Sequence, residues 1–215
     1  GFVVDPDVDR LAIVMENGEM FVEEYTLVAV ADYILRHTPG ATVSNLSSSR
    51  ALGDVTRSYG CEYHASAVGE VNVVAKMKET GAVIGGEGNG GVIYPEAHYG
   101  RDALVGVAIF LTLLAKSGKK VSELKKEYPS YAIAKNKIEL TPDINVDAIL
   151  CAMKERYADE KITDMDGVKI DFQDSWVHLR KSNTEPIIRI YAEAPTMAAA
   201  ERLGEKVKSV IASLA

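Results

Sequence analysis

The chain has 215 residues, 47% hydrophobic and 26% charged, with a formal net charge of −7. That length supports one large domain or two small ones around a buried core. The acidic balance excludes the broad basic footprint of a nucleic-acid binder, and no apolar run approaches the ~20 residues of a membrane span.

Residues 2–4 and 11–15 are short apolar runs flanking an acidic segment at 5–10, and Asn17-Gly18 is a hairpin signal before Met20, Phe21 and Val22. Leu27, Val30, Ala31, Ile34 and Leu35 follow helical spacing within 23–37, and Pro39-Gly40 ends that helix. A strand at 42–46, a helix at 50–59, a strand at 62–65 and a helix at 71–79 closed by Gly81 come next. Residues 82–84 read as a short buried strand entering a glycine-rich segment at 85–91, and a strand-like run from Val92 follows. The apolar run Ala103 to Ala115 is too short for a membrane and reads as a buried helix, within a long helix from Asp102 to Lys116. Alternating strands and helices of this kind argue an α/β layered architecture.

After a short helix at 121–127 and a linker at 128–130 the pattern changes. Strands at 131–140, 161–163, 168–172, 176–180 and 187–192 accompany helices at 146–157 and 197–214, with Asp166-Gly167 as a hairpin turn. That is an α+β domain with an antiparallel sheet. Cys61 and Cys151 show no metal-ligand spacing and read as reduced core thiols, which makes a cytoplasmic setting the default. Asn45-Leu46-Ser47 matches a glycosylation acceptor only by chance. A strand beginning at residue 2 without an initiator Met suggests a piece of a longer protein.

Three loops carry chemistry. Asp5-Pro6-Asp7-Val8-Asp9-Arg10 places carboxylates at alternate positions, a spacing that lets all three converge on a hard cation such as Mg2+, with Arg10 offsetting charge or holding phosphate. A calcium EF-hand loop would need Gly where Arg10 stands and helices on both sides. A haloacid-dehalogenase phosphatase would want Thr or Val in place of Asp9. A solvated acidic turn is the bland alternative. In Gly85 to Gly91, Glu87 and Asn89 suit recognition of sugar hydroxyls, since a carboxylate accepts and an amide does both. The segment fits neither the dinucleotide pattern nor a P-loop; a plain hairpin turn is the alternative. Between the last two strands, Arg180, Lys181, Ser182, Asn183, Thr184 and Arg189 combine guanidinium forks with hydroxyl and amide donors for a phosphate. A polar hairpin with a chance Arg on each strand is the alternative there.

Taken in order, these loops resemble those of the α-D-phosphohexomutase superfamily, which includes phosphoglucomutase, phosphomannomutase and phosphoglucosamine mutase. The family's Asp-x-Asp-x-Asp-Arg is matched by Asp5, Asp7, Asp9 and Arg10. Its Gly-Glu-x-Ser/Asn-Gly is matched by Gly86, Glu87, Asn89 and Gly90. Its Arg-x-Ser-x-Thr-x-Pro is matched by Arg180, Ser182, Asn183, Thr184 and Pro186, with Arg189 beyond. The resemblance implies the end of the family's second domain at 1–21, its mixed-sheet α/β/α third domain at 22–129 and its smaller fourth domain at 130–215, the last with a TATA-binding-protein-like antiparallel sheet.

The resemblance also implies a phosphomutase of the isomerase class that interconverts hexose 1- and 6-phosphates through a phosphoserine and a bisphosphate. Mg2+ would sit on Asp5, Asp7 and Asp9, Glu87 and Asn89 would bind the sugar, and Arg180, Ser182, Asn183, Thr184 and Arg189 would hold the non-reacting phosphate. The reactive-serine loop does not occur in this sequence, so the missing N-terminal domains would be partners and the chain alone would be inactive. Bacterial members often carry His where this chain has Gly91, and many carry Lys near Ser47; both differences bear on sugar preference. A free-standing sugar-phosphate-binding or regulatory module is the second class of function. A serine loop encoded upstream favours the mutase, and a start codon at Gly1 favours the module.

Overall fold

The structure is a computed structural model that describes residues 1–139, 145–182 and 185–213. It divides into two compact units, 1–129 and 130–215.

The first unit opens with a two-stranded antiparallel ribbon, β1 (Phe2–Val4) and β2 (Leu11–Ile13), paired with Val3 opposite Ala12. The hairpin signal at Asn17-Gly18 yields only an isolated bridge, Val14 to Met20, and no strand at 20–22. Val22 stands at φ 75 and redirects the chain into α1 (Glu23–His37) instead. A four-stranded sheet follows, with β3 (Thr42–Asn45), β4 (Tyr63–Ser66), β5 (Ile84–Glu87) and β6 (Gly91–Ile93) in the order β4-β3-β5-β6. β3 runs parallel to β4 and β5, and β6 returns antiparallel to β5.

Alternation along β3 assigns its two faces. Val43 packs with Val73 and Met77 of α3 (Glu70–Thr80). Its neighbour Thr42 meets Thr56 of α2 (Ala51–Ser58), hydroxyl to hydroxyl at 2.7 Å. Helices therefore cover both faces of the sheet. α3 stops at Gly81, which takes the left-handed conformation a helix end commonly uses.

β5 starts two residues and ends three residues later than the expected strand at 82–84. Gly85 and Gly86 read as loop, yet they pair in register with Val43 and Ser44, so Glu87 ends a strand. α4 (Ala103–Ser117) starts at Asp102, whose carboxylate accepts from the Val105 N–H at 3.0 Å. It is not buried all round as its composition suggests: Ala103, Gly106, Phe110 and Leu113 are buried, while Leu104 and Leu111 are exposed. After α5 (Val121–Lys125) the expected linker is packed down, since Tyr128 is buried and donates to Asp32 at 3.2 Å, and Tyr25 donates to the Pro129 carbonyl at 2.7 Å.

The second unit is a five-stranded, wholly antiparallel sheet in the order β7-β11-β10-β9-β8. The strands are β7 (Ala132–Glu139), β8 (Lys161–Thr163), β9 (Val168–Asp171), β10 (Trp176–Lys181) and β11 (Ile187–Ala194). α6 (Val146–Arg156) and α7 (Met197–Ala212) supply Ile149, Met153, Val207 and Ile211 to a core with Val177, Leu179, Ile188 and Ile190. By the same alternation Trp176, His178 and Arg180 lie on the other face. Both cysteines are free thiols, but neither is a core residue: Cys61 is half-buried and Cys151 exposed on α6. Among the described residues no helix is long and apolar enough to cross a membrane.

Candidate functional site

In the first unit the parallel strands β3, β4 and β5 end at Asn45, Ser66 and Glu87, and the carboxyl edge of such a sheet is where ligands bind in open α/β folds. The acidic loop joins β1 to β2. A turn closes it, with the Val8 N–H donating to the Asp5 carbonyl at 3.0 Å, and Val8 itself takes the left-handed φ of 57. A branched residue in that conformation is strained by about 1–3 kcal/mol and is held there by its surroundings. One restraint is the first N–H of α4: Ala103 donates to the Val8 carbonyl at 3.1 Å.

This turn breaks the alternation that would aim all three carboxylates one way. Asp5 Oδ1 accepts the backbone N–H groups of Asp9 at 3.1 Å and Arg10 at 3.2 Å. Arg10 Nε stands 3.9 Å from both Asp5 and Asp9. Asp5 and Asp9 face each other, while Asp7 is exposed. Among the described residues no three His, Cys, Asp or Glu side chains are gathered as a ready metal cluster. Burial pushes the Asp9 carboxyl up, Arg101 pulls it down, and the Asp5 carboxylate pushes it up again, leaving it above the usual range. Burial also acts to raise Asp5, but the Arg10 and Asp9 backbone donors and the Asp9 carboxyl outweigh it and hold Asp5 below that range. Two carboxylates facing each other on one turn, with a third on the same loop, offer the hard oxygen donors that Mg2+ takes.

The glycine-rich segment is the β5–β6 turn, and it sits directly on the strand that follows the acidic loop: the Leu11 N–H donates to the Gly90 carbonyl at 3.1 Å. Glu87 is 3% exposed and already held. Its Oε1 accepts from Asn45 Nδ2 at 2.7 Å and from the Gly69 N–H at 3.2 Å, and its Oε2 from Arg101 Nη1 at 2.5 Å. Half-buried Asn89 turns its side-chain oxygen back to the Gly91 N–H at 3.1 Å.

Arg101, just before α4, joins the two loops. One end of its fork meets Asp9, the other meets Glu87, its Nε lies 3.6 Å from Glu70, and its backbone N–H donates to Glu70 at 2.8 Å. Burial works against its charge, but Glu87, Asp9 and Glu70 outweigh it and hold its pKa above the ordinary arginine value. Sequence reasoning missed Arg101, Asn45 and Glu70. Arg101 is 92 residues from Asp9 and 31 from Glu70, so no local spacing marks it.

In the second unit, Arg180 and Arg189 lie directly opposite each other on β10 and β11, and Lys137 of β7 lies opposite Arg189 on its other side. Like charges in direct cross-strand register are unfavourable without a counter-charge. Arg189 has Glu185 at 2.6 Å and buried Ser182 at 3.5 Å. Arg180 Nε is buried with no hydrogen-bond partner among the described residues. His178, two residues earlier on the same face, donates from Nε2 to the Asp166 carbonyl at 2.6 Å. Asn183 and Thr184 lie outside the described residues.

Two family models match this chain, the phosphoglucomutase/phosphomannomutase alpha/beta/alpha domain III over 23–131 and the C-terminal domain of the same proteins over 132–210. The chain belongs to the phosphoglucomutase/phosphomannomutase family. It is 38% identical to a phosphoglucomutase/phosphomannomutase of Thermococcus kodakarensis, over 90% of this chain and 43% of that protein. With a probable phosphoglucosamine mutase of Methanopyrus kandleri it shares 33% identity over 98% of this chain and 47% of that one. A solved phosphoglucomutase/phosphomannomutase family protein of Burkholderia thailandensis superposes with a TM-score of 0.85 at 27% identity, covering this whole chain and 46% of that one. The chain thus spans about half the length of the family members it matches. Both of its layers, mixed sheet and then antiparallel sheet, are those of the family's third and fourth domains.

Proposed function

We propose that this chain is part of a phosphohexomutase that interconverts hexose 1-phosphate and hexose 6-phosphate through a phosphoserine, carried elsewhere in the protein, and a bisphosphate intermediate. The observation that carries the reading is the register of Arg180 against Arg189, two arginines in direct cross-strand pairing, with the Arg180 Nε left without an acceptor among the described residues. A phosphate dianion satisfies that arrangement, because planar guanidinium forks donate to its oxygens in pairs. Ser182 adds a hydroxyl, and Asn183 and Thr184 are proposed as further donors.

In the first unit, Asp5 and Asp9 would hold Mg2+, with exposed Asp7 of the same loop turning to it as a third ligand, and the ion when bound supplies positive charge against a transferring phosphoryl group. Asn89 would orient sugar hydroxyls, and Glu87 would accept from them while Asn45 and Arg101 fix its carboxylate. Arg10, exposed beside Asp5 and Asp9, would balance charge there. Two free thiols support a reducing, cytoplasmic setting.

The test is calorimetry with inorganic phosphate and glucose 6-phosphate as probes. Arg180→Ala should weaken binding by at least about 1.5 kcal/mol, the low end for a hydrogen bond to a charged group. Unchanged affinity would remove Arg180 from the phosphate grip and the reading with it.

A further inference from the structure

We infer that Arg101 is a positioning residue that couples the acidic loop to the glycine-rich loop, so that the state of Glu87 sets the cation affinity at Asp5 and Asp9. The inference rests on the proposed reading of that carboxylate pair as a cation site.

Three carboxylates from three separate segments share this one guanidinium, whose side chain is 14% exposed. Each has its own atom of the fork: Nη2 serves Asp9, Nη1 serves Glu87, and Nε lies 3.6 Å from Glu70. Glu70 also takes the Arg101 backbone N–H at 2.8 Å, which fixes where the side chain starts. The planar fork makes these contacts interdependent, since it cannot turn toward one carboxylate without leaving another. A Lys would reach one carboxylate as a point charge and could not bridge two in this way.

The path of the side chain is set by Gly91. A Cβ at that position would stand 2.4 Å from Arg101 Cδ and 3.1 Å from Cγ, so the aliphatic stem crosses the space a larger residue would fill. Gly91 is also the residue whose N–H holds Asn89, at 3.1 Å. One close approach thus ties the Arg101 stem to the turn that carries both Glu87 and Asn89.

The consequence is competition for one positive charge. When Glu87 is made neutral by substitution, the guanidinium is left to Asp9 and to the longer contact with Glu70, and a cation at Asp9 must contend with a more committed Arg101. When Arg101 is gone, that route closes and only the direct, longer-range charge effect of Glu87 remains.

The experiment measures Mn2+ affinity of the 215-residue chain by electron paramagnetic resonance. Glu87→Gln should weaken Mn2+ binding by about five-fold, the low end of coupling between sites. The same change made in an Arg101→Gln background should move it by no more than about two-fold, the direct charge effect alone. Gly91→Ala keeps every charge but displaces the stem, so Glu87→Gln should lose its effect there as well; this series decides the matter where Arg101→Gln does not fold. Equal responses to Glu87→Gln with and without Arg101 in place overturn the coupling while leaving the cation site standing. A wild-type chain that binds no Mn2+ at millimolar concentration overturns the cation reading itself, and the coupling falls with it.

Discussion

Gly90 shows how tightly the glycine-rich turn is fitted to the acidic loop. It has φ 88, and a Cβ there would stand 2.3 Å from the Leu11 carbonyl oxygen and 3.0 Å from its carbonyl carbon and nitrogen, all backbone atoms that cannot swing aside. Gly18 has almost the same φ, 84, with nothing within 4 Å of its Cβ position. Ala at residue 18 should therefore cost about 1 kcal/mol, the backbone conformation alone, whereas Gly90→Ala adds overpacking and should cost about 3 kcal/mol. Urea midpoints of the first unit by far-ultraviolet circular dichroism test this, and equal midpoints for the two variants would refute the close approach. The motif made these glycines legible as a loop but not what they touch. The same limit hid Arg101, whose carboxylate partners come from the β1–β2 loop, the start of α3 and the end of β5. Asp7 shows the converse: alternate spacing promises convergence only along an extended chain, and the turn at Val8 is not extended.

Among elements, those set by hydrophobic period were legible. α1 spans the residues its pattern marks, and β9 and β10 pair as alternating strands. β5 was displaced because two of its four residues are glycines, which propensity assigns to loops while the sheet uses only their backbone groups. β10 carries a pH-dependent strain. Burial lowers His178 to about 4, although its bond to the Asp166 carbonyl favours the charged form. Unfolded, the ring titrates near 6.5. The unfolded chain therefore binds a proton below about pH 6.5 that the folded chain refuses until about pH 4, so the second unit loses stability as pH falls through that window. Between pH 7 and pH 5 the loss from this one ring should be about 2 kcal/mol. The single Trp of the chain, Trp176, lies on β10 and reports unfolding of this unit by fluorescence. A His178→Gln variant should show a smaller drop in urea midpoint over that range, and an identical drop in both proteins would rule the ring out as its source.

At the scale of the whole molecule, each unit holds a different share of the proposed chemistry. The first carries the carboxylate pair, Glu87 and Asn89; the second carries the arginine pair. None of these groups is a nucleophile placed to accept a phosphoryl group: the carboxylates are engaged with one another or with Arg101, and the arginines are permanently charged donors. Phosphoryl transfer between the two ends of a sugar needs an acceptor that takes the group and returns it. With 43% and 47% of two relatives' lengths covered, that acceptor is proposed to lie in the part of those proteins that this chain does not match. Binding and turnover should consequently separate. The chain alone should bind inorganic phosphate through Arg180 and Arg189, yet convert no glucose 1-phosphate to glucose 6-phosphate in an assay coupled to glucose-6-phosphate dehydrogenase. A rate that rises in proportion to chain concentration and disappears in Arg180→Ala would place the whole reaction within these 215 residues and refute the division of labour. A rate indifferent to Arg180→Ala would instead come from a contaminating mutase, because the phosphate grip is the one binding element that turnover on this chain cannot do without.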